Sequence, residues 1–519
     1  MKRLQSYVCG GWHPGQGEVA TLVNPSTEEP LAEVALTGID LASTLQFSAK
    51  HGGNALRQRT FAERGAMLAE LARVMHSGRE ELIELAIANG GNTRSDAKFD
   101  IDGASFTLAH YAELGTQLGA RTVLADGETT QIGRTARFSA QHIFSPRRGV
   151  AVHINAFNFP AWGLAEKAAC ALLAGMPVIC KPATATALVA HRLVELFVES
   201  GALPNGALSL ICGSARSLPG LLRGQDVLAF TGSSATAATL RASDGVVHHS
   251  VHLNVEADSL NAAVLGPDVS PDSETGRLFV ADVVRDISQK TGQKCTAIRR
   301  VFIPADHADA FAEAIGEALD GLAIGDPKTG ENVRMGPLAT RQQLDNVRLG
   351  IARLADVTDE LYGGSGELKH PEGGQPGIGF FVSPVVRLAR DPASSVIHRD
   401  EVFGPVATVC PYDGNAETAS NLVALGAGGL VASIYSDDRA FFKTMVSELA
   451  PHHGRLYLGS EKIAAQSPGP GTVLPSLLHG GPGRAGGGEE LGGLQGVHLY
   501  QQCTAIQGDK SILASLLKQ

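Results

Sequence analysis

The sequence predicts an α/β protein built on two parallel sheets, with a smaller β element attached. Three observations predict it. Between residues 149 and 255, five apolar strand-like runs alternate with four helical ones. Alternation at that pitch implies right-handed crossovers and a parallel sheet covered on both faces. A second alternation runs from 262 to about 460, and the polar, Thr-rich stretch 121–146 lacks helical period and suits a hairpin. At 519 residues the chain is too long for one core, so about three domains are expected.

Composition narrows the class. With 44% hydrophobic and 18% charged residues the chain is an ordinary globular one. No apolar run approaches the roughly 18 residues of a membrane span. The amino terminus, Met1-Lys2-Arg3-Leu4-Gln5-Ser6, carries charge without the apolar stretch of a signal peptide, so a cytoplasmic protein is expected. A net charge of −10 argues against nucleic acid as a partner. The seven cysteines are scattered and form no CxxC pair. That argues against a disulfide framework or a zinc site, and no metal is expected.

Taken in order, residues 1–38 read as short strands and turns, and 40–118 as helical. In Phe61–Met75 the apolar residues Phe61, Met67, Leu68, Leu71 and Met75 recur at helical spacing. A second helix, Glu80–Asn89, ends at the C-cap signal Gly90-Gly91, and Ser95–Leu118 is a third. In the first alternation the strands are Gly149–Asn155, Pro177–Lys181, Ala207–Cys212, Val227–Phe230 and His248–Val255. The helices are Phe159–Leu173, Ala185–Ser200, Leu218–Arg223 and Ser234–Ala242, the first with Asn158 as N-cap. In the second alternation strands are expected at 262–265, 299–303, 381–386, 406–411, 429–434 and 454–458. Helices are expected at 274–288, 306–320, 338–355, 415–425 and 438–448, a surface loop at 363–379 and a last strand at 497–506.

Parallel sheets bind ligands at the carboxyl ends of their strands, and the loops there are informative. Asn158 either caps a helix or offers a side-chain N–H to an oxyanion. Lys181 ends a very apolar strand, where it is either a surface lysine or a cation for a ribose or phosphate. Phe230-Thr231-Gly232-Ser233-Ser234 is a strand–Gly–helix turn able to hold a diphosphate on backbone N–H groups. Glu256 follows an apolar strand, and is either an ordinary strand-end carboxylate or a base raised toward a useful pKa by burial. Cys295 sits on the turn Thr291-Gly292-Gln293-Lys294-Cys295-Thr296-Ala297, between a helix and a strand. Most cysteines are small buried hydrophobes, but a loop held by rigid elements is where a nucleophile belongs.

Together these segments resemble the aldehyde dehydrogenase superfamily over nearly the whole chain. Asn155–Pro160, Lys181-Pro182, Phe230–Ser233, Glu256, Gly292–Cys295 and Glu401-Val402-Phe403-Gly404-Pro405 follow the order of that family's motifs. The resemblance implies a Rossmann-like NAD(P)-binding domain at 1–123 and 148–254, and a catalytic domain at 255–485. It adds a small bridging domain for oligomerisation at 124–147 and 486–519. It implies Cys295 as nucleophile, Asn158 as oxyanion donor and Glu256 as the base that activates water. Lys181, Thr184, Thr231, Gly232, Ser233, Glu401, Phe403 and Phe157 are the implied cofactor-binding residues, and a homodimer is the implied assembly.

Departures from the family pattern refine the expectation. Thr184 replaces a glutamate that commonly binds the adenosine ribose, which favours NADP over NAD. Glu256 is followed by Ala257-Asp258-Ser259 instead of Leu-Gly-Gly, and stands 39 residues before Cys295, a few more than usual. The Gly-rich segment Leu478–Gly493 and the run Gln293–Arg300 are similar to a branch that oxidises CoA-linked semialdehydes in aerobic aromatic degradation. The implied substrate is 3,4-dehydroadipyl-CoA semialdehyde of the benzoate route, an anionic CoA thioester. The alternatives are the ring-opened CoA semialdehyde of the phenylacetate route or a medium-chain aldehyde. The phenylacetate enzyme normally carries a further hydratase domain, for which the chain up to Gln519 leaves no room.

Overall fold

Two seven-stranded sheets organise the chain. The structure is a computed structural model and describes residues 1–330 and 332–517. From one edge, the first sheet runs His252–Glu256, Val227–Thr231, Ala151–Ile154, Val178–Lys181, Leu208–Leu210, Ser6–Val8 and Gly11–His13. The first five strands are mutually parallel and the last two are antiparallel. The second runs Thr358–Tyr362, Val385–Ala389, Val406–Tyr412, Arg300–Pro304, Ala262–Leu265, Gly429–Tyr435 and His453–Gly459. It is parallel except for its first strand.

Both sheets are apolar on both faces, as a covered parallel sheet requires. Ala151 and Val178 pack into one core with Leu68, Leu71, Leu108, Leu172 and Phe197 from the covering helices. Their neighbours Val152 and Ile179 point the other way, into a core with Leu228, Phe230 and Leu240. The second sheet divides likewise: Val264, Phe302 and Ile434 face one core, while Ala263, Val301 and Ile303 face the other. This is the period-two alternation of a strand with each face covered.

The helices start where their side chains can cap them. Thr60 and Glu63 form a reciprocal capping box ahead of Phe61–Ser77. Gly91, at φ 67°, closes Arg79–Gly90, as the Gly90-Gly91 pair predicts. The expected hairpin is Leu124–Gln131 with Phe138–Pro146, and Gln501–Asp509 pairs antiparallel along its second strand. Among the described residues no helix is long and apolar enough to cross a membrane.

Several expectations need correction. The expected strand His248–Val255 begins only at His252, because Asp244–His249 forms a short helix. The strand expected at 381–386 lies at Val385–Ala389, and the edge strand Thr358–Tyr362 beside it was not expected. The Gly-rich segment contains a hairpin, Leu478–Gly480 against Glu489–Leu491. The tail carries the helix Leu494–His498 before its strand and Lys510–Leu517 after it. The end of the expected 486–519 segment, at Lys518 and Gln519, lies outside the described residues.

Candidate active site

The carboxyl ends of the first sheet face the amino ends of the second. In register, Thr231 stands beside Glu256, and Ile154 beside Lys181. The turn that carries Cys295 enters the second sheet at Arg300, and Glu401–Pro405 enters it at Val406. Residues distant in sequence therefore meet between the two sheets.

The turn that carries Cys295 is strained and heavily braced. Lys290, Thr291 and Gly292 occupy the left-handed region in succession, at φ 52°, 56° and 67°. Each non-glycine residue there costs about 1–3 kcal/mol. Thr291 Oγ1 donates to the Gly336 carbonyl at 2.8 Å. Lys290 Nζ lies 4.3 Å from the ring centre of Phe159, and its charge faces buried Asp96 and Asp100. Lys294 Nζ is held by Asp286 at 2.6 Å and Gln289 at 2.8 Å. Asn261 Nδ2 donates to the carbonyls of Cys295 at 2.7 Å and Ala297 at 2.9 Å.

Around Cys295 three side chains converge. His479 Nε2 lies 3.9 Å from its Sγ and 3.3 Å from Glu256 Oε2. Burial would raise the Glu256 carboxyl, but the His479 imidazole outweighs it and holds the carboxyl below the usual range. The expectation of a base raised by burial is thus overturned by an ion pair that the reading of isolated residues could not see. Burial, reinforced by the negative Glu256, pushes the Cys295 thiol well up. The resting group is therefore a thiol whose proton must leave during reaction.

Asn158 does not cap the helix. That helix runs Trp162–Ala174 with Ala161 at its N-cap position, and its first N–H groups go to Asp100: Trp162 N at 2.8 Å and Ala161 N at 3.4 Å. Asn158 is released toward Cys295. One of its N–H bonds goes to the Gln293 carbonyl at 2.9 Å, and the amide lines the cavity beside the thiol.

Behind Glu256 lies a buried charged group that the sequence reading passed over. Lys167 Nζ is 2.9 Å from Glu166 Oε1 and 3.0 Å from Glu490 Oε2. Burial raises Glu490 to about 7, with Lys167 pulling against Glu166 and Glu256. His479 and Glu490 are register partners in the hairpin of the Gly-rich segment.

Two openings lie near Cys295, and the first reaches it. One is a cleft of about 550 Å³ lined by Phe157, Asn158, Ala183, Thr231, Gly232, Ser233, Glu256, Glu401 and Phe403. Phe157 and Phe403 meet edge to face at 5.8 Å. Thr231 Oγ1 is buried there without a hydrogen-bond partner. A dinucleotide fits this volume and these groups. Lys181 and Thr184 flank Ala183 without lining the cleft themselves, and burial lowers the Lys181 ammonium. The turn at Ser233 differs from expectation. Ser233 Oγ accepts from Thr236 N, and Asp258 accepts from Ser234 N at 3.1 Å and Ser234 Oγ at 2.5 Å. A diphosphate held on these N–H groups would have to displace the Asp258 carboxylate from Ser234. Glu401 is engaged too, by Arg299 Nε at 3.1 Å and Ser259 N at 3.0 Å.

The second opening is a groove of about 420 Å³. It is largely apolar and shares Phe99, Trp162 and Val473 with the small cavity at Cys295. Arg299 and Arg300, part of the run whose resemblance points to the substrate branch, serve the frame. Arg299 ties Glu401 to the Gly404 carbonyl, and Arg300 donates to the Leu260 and Val423 carbonyls.

Comparison with known proteins agrees with this geometry. The aldehyde dehydrogenase family matches residues 12–506. The 3,4-dehydroadipyl-CoA semialdehyde dehydrogenase of Aromatoleum evansii is 44% identical over 481 residues, 92% of this chain and 93% of that protein. Among solved structures, 3,6-anhydro-L-galactose dehydrogenase in complex with NAP shares the fold with a TM-score of 0.85 at 22% identity, over 98% of this chain and 100% of that one. The NAD+ complex of an aldehyde dehydrogenase from Bacillus cereus gives 0.83 at 21% identity, over 98% and 97%. With two parallel sheets facing across a cysteine, a carboxylate and a dinucleotide-sized cleft, the chain belongs to the aldehyde dehydrogenase family.

Proposed function

We propose that this chain oxidises a CoA-linked semialdehyde, 3,4-dehydroadipyl-CoA semialdehyde of aerobic benzoate degradation, to the carboxylic acid, with NADP as hydride acceptor. The observation that carries the chemistry is the meeting of Cys295, Glu256, His479 and Asn158 in one cavity beside the cleft. The substrate class rests on the 44% identity to the Aromatoleum evansii enzyme.

The Cys295 sulfur attacks the aldehyde carbon, and its proton passes to the adjacent Glu256–His479 pair. The resulting oxyanion is met by the second Asn158 N–H and the Cys295 backbone N–H. A nicotinamide dinucleotide in the cleft supplies the hydride acceptor for the oxidation, which leaves a thioester on Cys295. Glu256 then takes a proton from the water that hydrolyses it, releasing acid and thiol. Lys167, Glu166 and Glu490 lie behind Glu256, where they can carry off the proton taken from the thiol, which frees Glu256 to act as base; the water's proton returns from Glu256 to the leaving sulfur. Phe157 and Phe403, which line the cleft, would hold the nicotinamide ring. Thr184 and Lys181 suit a 2′-phosphate, since no carboxylate stands at position 184 to repel it.

Kinetics with the CoA-linked semialdehyde against a free six-carbon semialdehyde test the substrate. The reading expects kcat/KM at least about tenfold higher for the CoA substrate, a difference of roughly 1.4 kcal/mol. Equal values overturn the CoA reading and leave a less specific aldehyde dehydrogenase. The same assay with NADP and NAD at equal concentration tests the cofactor, and a strong NAD preference overturns the role given to Thr184.

A further inference from the structure

Cys295, His479 and Glu256 have a second chemical capacity. Nε2 of His479 lies 3.3 Å from Glu256 Oε2 and 3.9 Å from Cys295 Sγ, and one ligand atom from each residue lies within 4.8 Å of the others. A tetrahedral zinc ion, with Zn–S of about 2.3 Å and Zn–N or Zn–O of about 2.0–2.1 Å, holds its ligand atoms roughly 3.3–3.6 Å apart. Two edges of such a tetrahedron, His479–Glu256 and His479–Cys295, therefore stand nearly formed before any ion arrives, and the third lies within 4.8 Å. A thiolate, an imidazole and a carboxylate form a donor set suited to zinc and poorly suited to magnesium or calcium.

Independent features point the same way. Glu256 Oε1 is buried without a hydrogen-bond partner, a group that lacks a ligand in the folded chain. Two of the three side chains are fixed on strands: Glu256 ends His252–Glu256, and His479 lies in Leu478–Gly480. Cys295 is fixed by its braced turn. All three line one cavity.

We propose that Cys295, His479 and Glu256 form a reversible binding site for zinc or a cation of similar softness, and that occupancy switches the dehydrogenase off by taking its nucleophile. Binding forms Zn–S, Zn–N and Zn–O bonds and releases the thiol proton, and the imidazolium proton where it is carried, to solvent. No electron changes hands. The inhibition arm rests on Cys295 being the nucleophile, whereas the coordination itself does not.

The experiment uses untagged, chelator-treated full-length protein. Zn²⁺ is added, excess is removed by gel filtration, and metal, activity and Cys295 alkylation are measured. The proposal expects one retained equivalent per chain, activity lost in proportion, slowed alkylation, and full recovery with EDTA. Co²⁺ in place of zinc gives an intense thiolate-to-metal charge-transfer band, a readout independent of activity. Cys295→Ala removes the band and the equivalent. His479→Asn weakens binding at least about tenfold, since losing a ligand costs no less than losing an outer partner. Wild type without retained zinc, Cys295→Ala that keeps it, or bound Co²⁺ without the band each overturns the proposal. Coordination without loss of activity contradicts Cys295 as the nucleophile instead.

Discussion

Glu401 shows how burial and pairing compete at a single residue. Its carboxyl is buried, which raises it to about 7 although Arg299 and the Ser259 N–H pull it down. The ordinary value is about 4.3. A carboxyl with a raised folded pKa adds stability that is complete below the ordinary value and is lost as pH rises to about 7. Wild type should therefore lose Tm relative to Glu401→Gln as pH goes from 5 to 7.5. A Tm difference that stays constant across that range contradicts the assignment. At this scale the sequence announced Cys295, Glu256, Asn158, Glu401 and Phe403, because each sits in a local motif. His479 and Lys167 were illegible, since their roles exist only through partners remote in the chain: His479 meets Glu256 across 223 positions, and a lone histidine or helical lysine carries no such mark. The same blindness gave Glu256 the wrong direction of shift, because burial was foreseen and the imidazole was not.

At the scale of elements, the turn 290–295 is the part most dependent on backbone conformation. A Cβ on Gly292 would stand 2.2 Å from the Gly404 carbonyl oxygen, at a φ of 67°. No side chain fits without moving the turn from Glu401–Pro405. Gly292→Ala is predicted to cost about 1–3 kcal/mol, read as a lower midpoint in urea, because strain adds to the clash. A displacement near 1 Å at the sulfur lowers turnover about a hundredfold. Unchanged stability together with unchanged rate of Cys295 alkylation contradicts the claim that this turn sets the thiol. The element order was legible because both alternations follow strong apolar patterns. Where elements were misplaced, local competition decided. Asp244 supplies an acidic first turn to a short helix that takes in His248 and His249, the first residues of the expected strand. Asp100, 58 residues before Asn158, took over the helix N-terminus that Asn158 was expected to cap.

Across the whole molecule, the three-stranded sheet of Leu124–Gln131, Phe138–Pro146 and Gln501–Asp509 is the least covered part. Ile132 and Phe138 are exposed on it, and Gln501–Asp509 is an edge with unpaired backbone groups. We propose that this sheet joins two copies, consistent with the family's bridging hairpin. A chain ending after residue 500 is then predicted to sediment as a monomer where the full chain sediments as a dimer; a truncated chain that remains dimeric contradicts it.

The central claim is that oxidation passes through a thioester on Cys295 that Glu256 is needed to hydrolyse. Intact-protein mass spectrometry of Glu256→Gln, quenched after mixing with NADP and the CoA-linked semialdehyde, tests it most directly. The account predicts one acyl adduct on Cys295, formed with a burst of NADPH of about one equivalent and little turnover after it. A full steady-state rate with no adduct on Cys295 would contradict it.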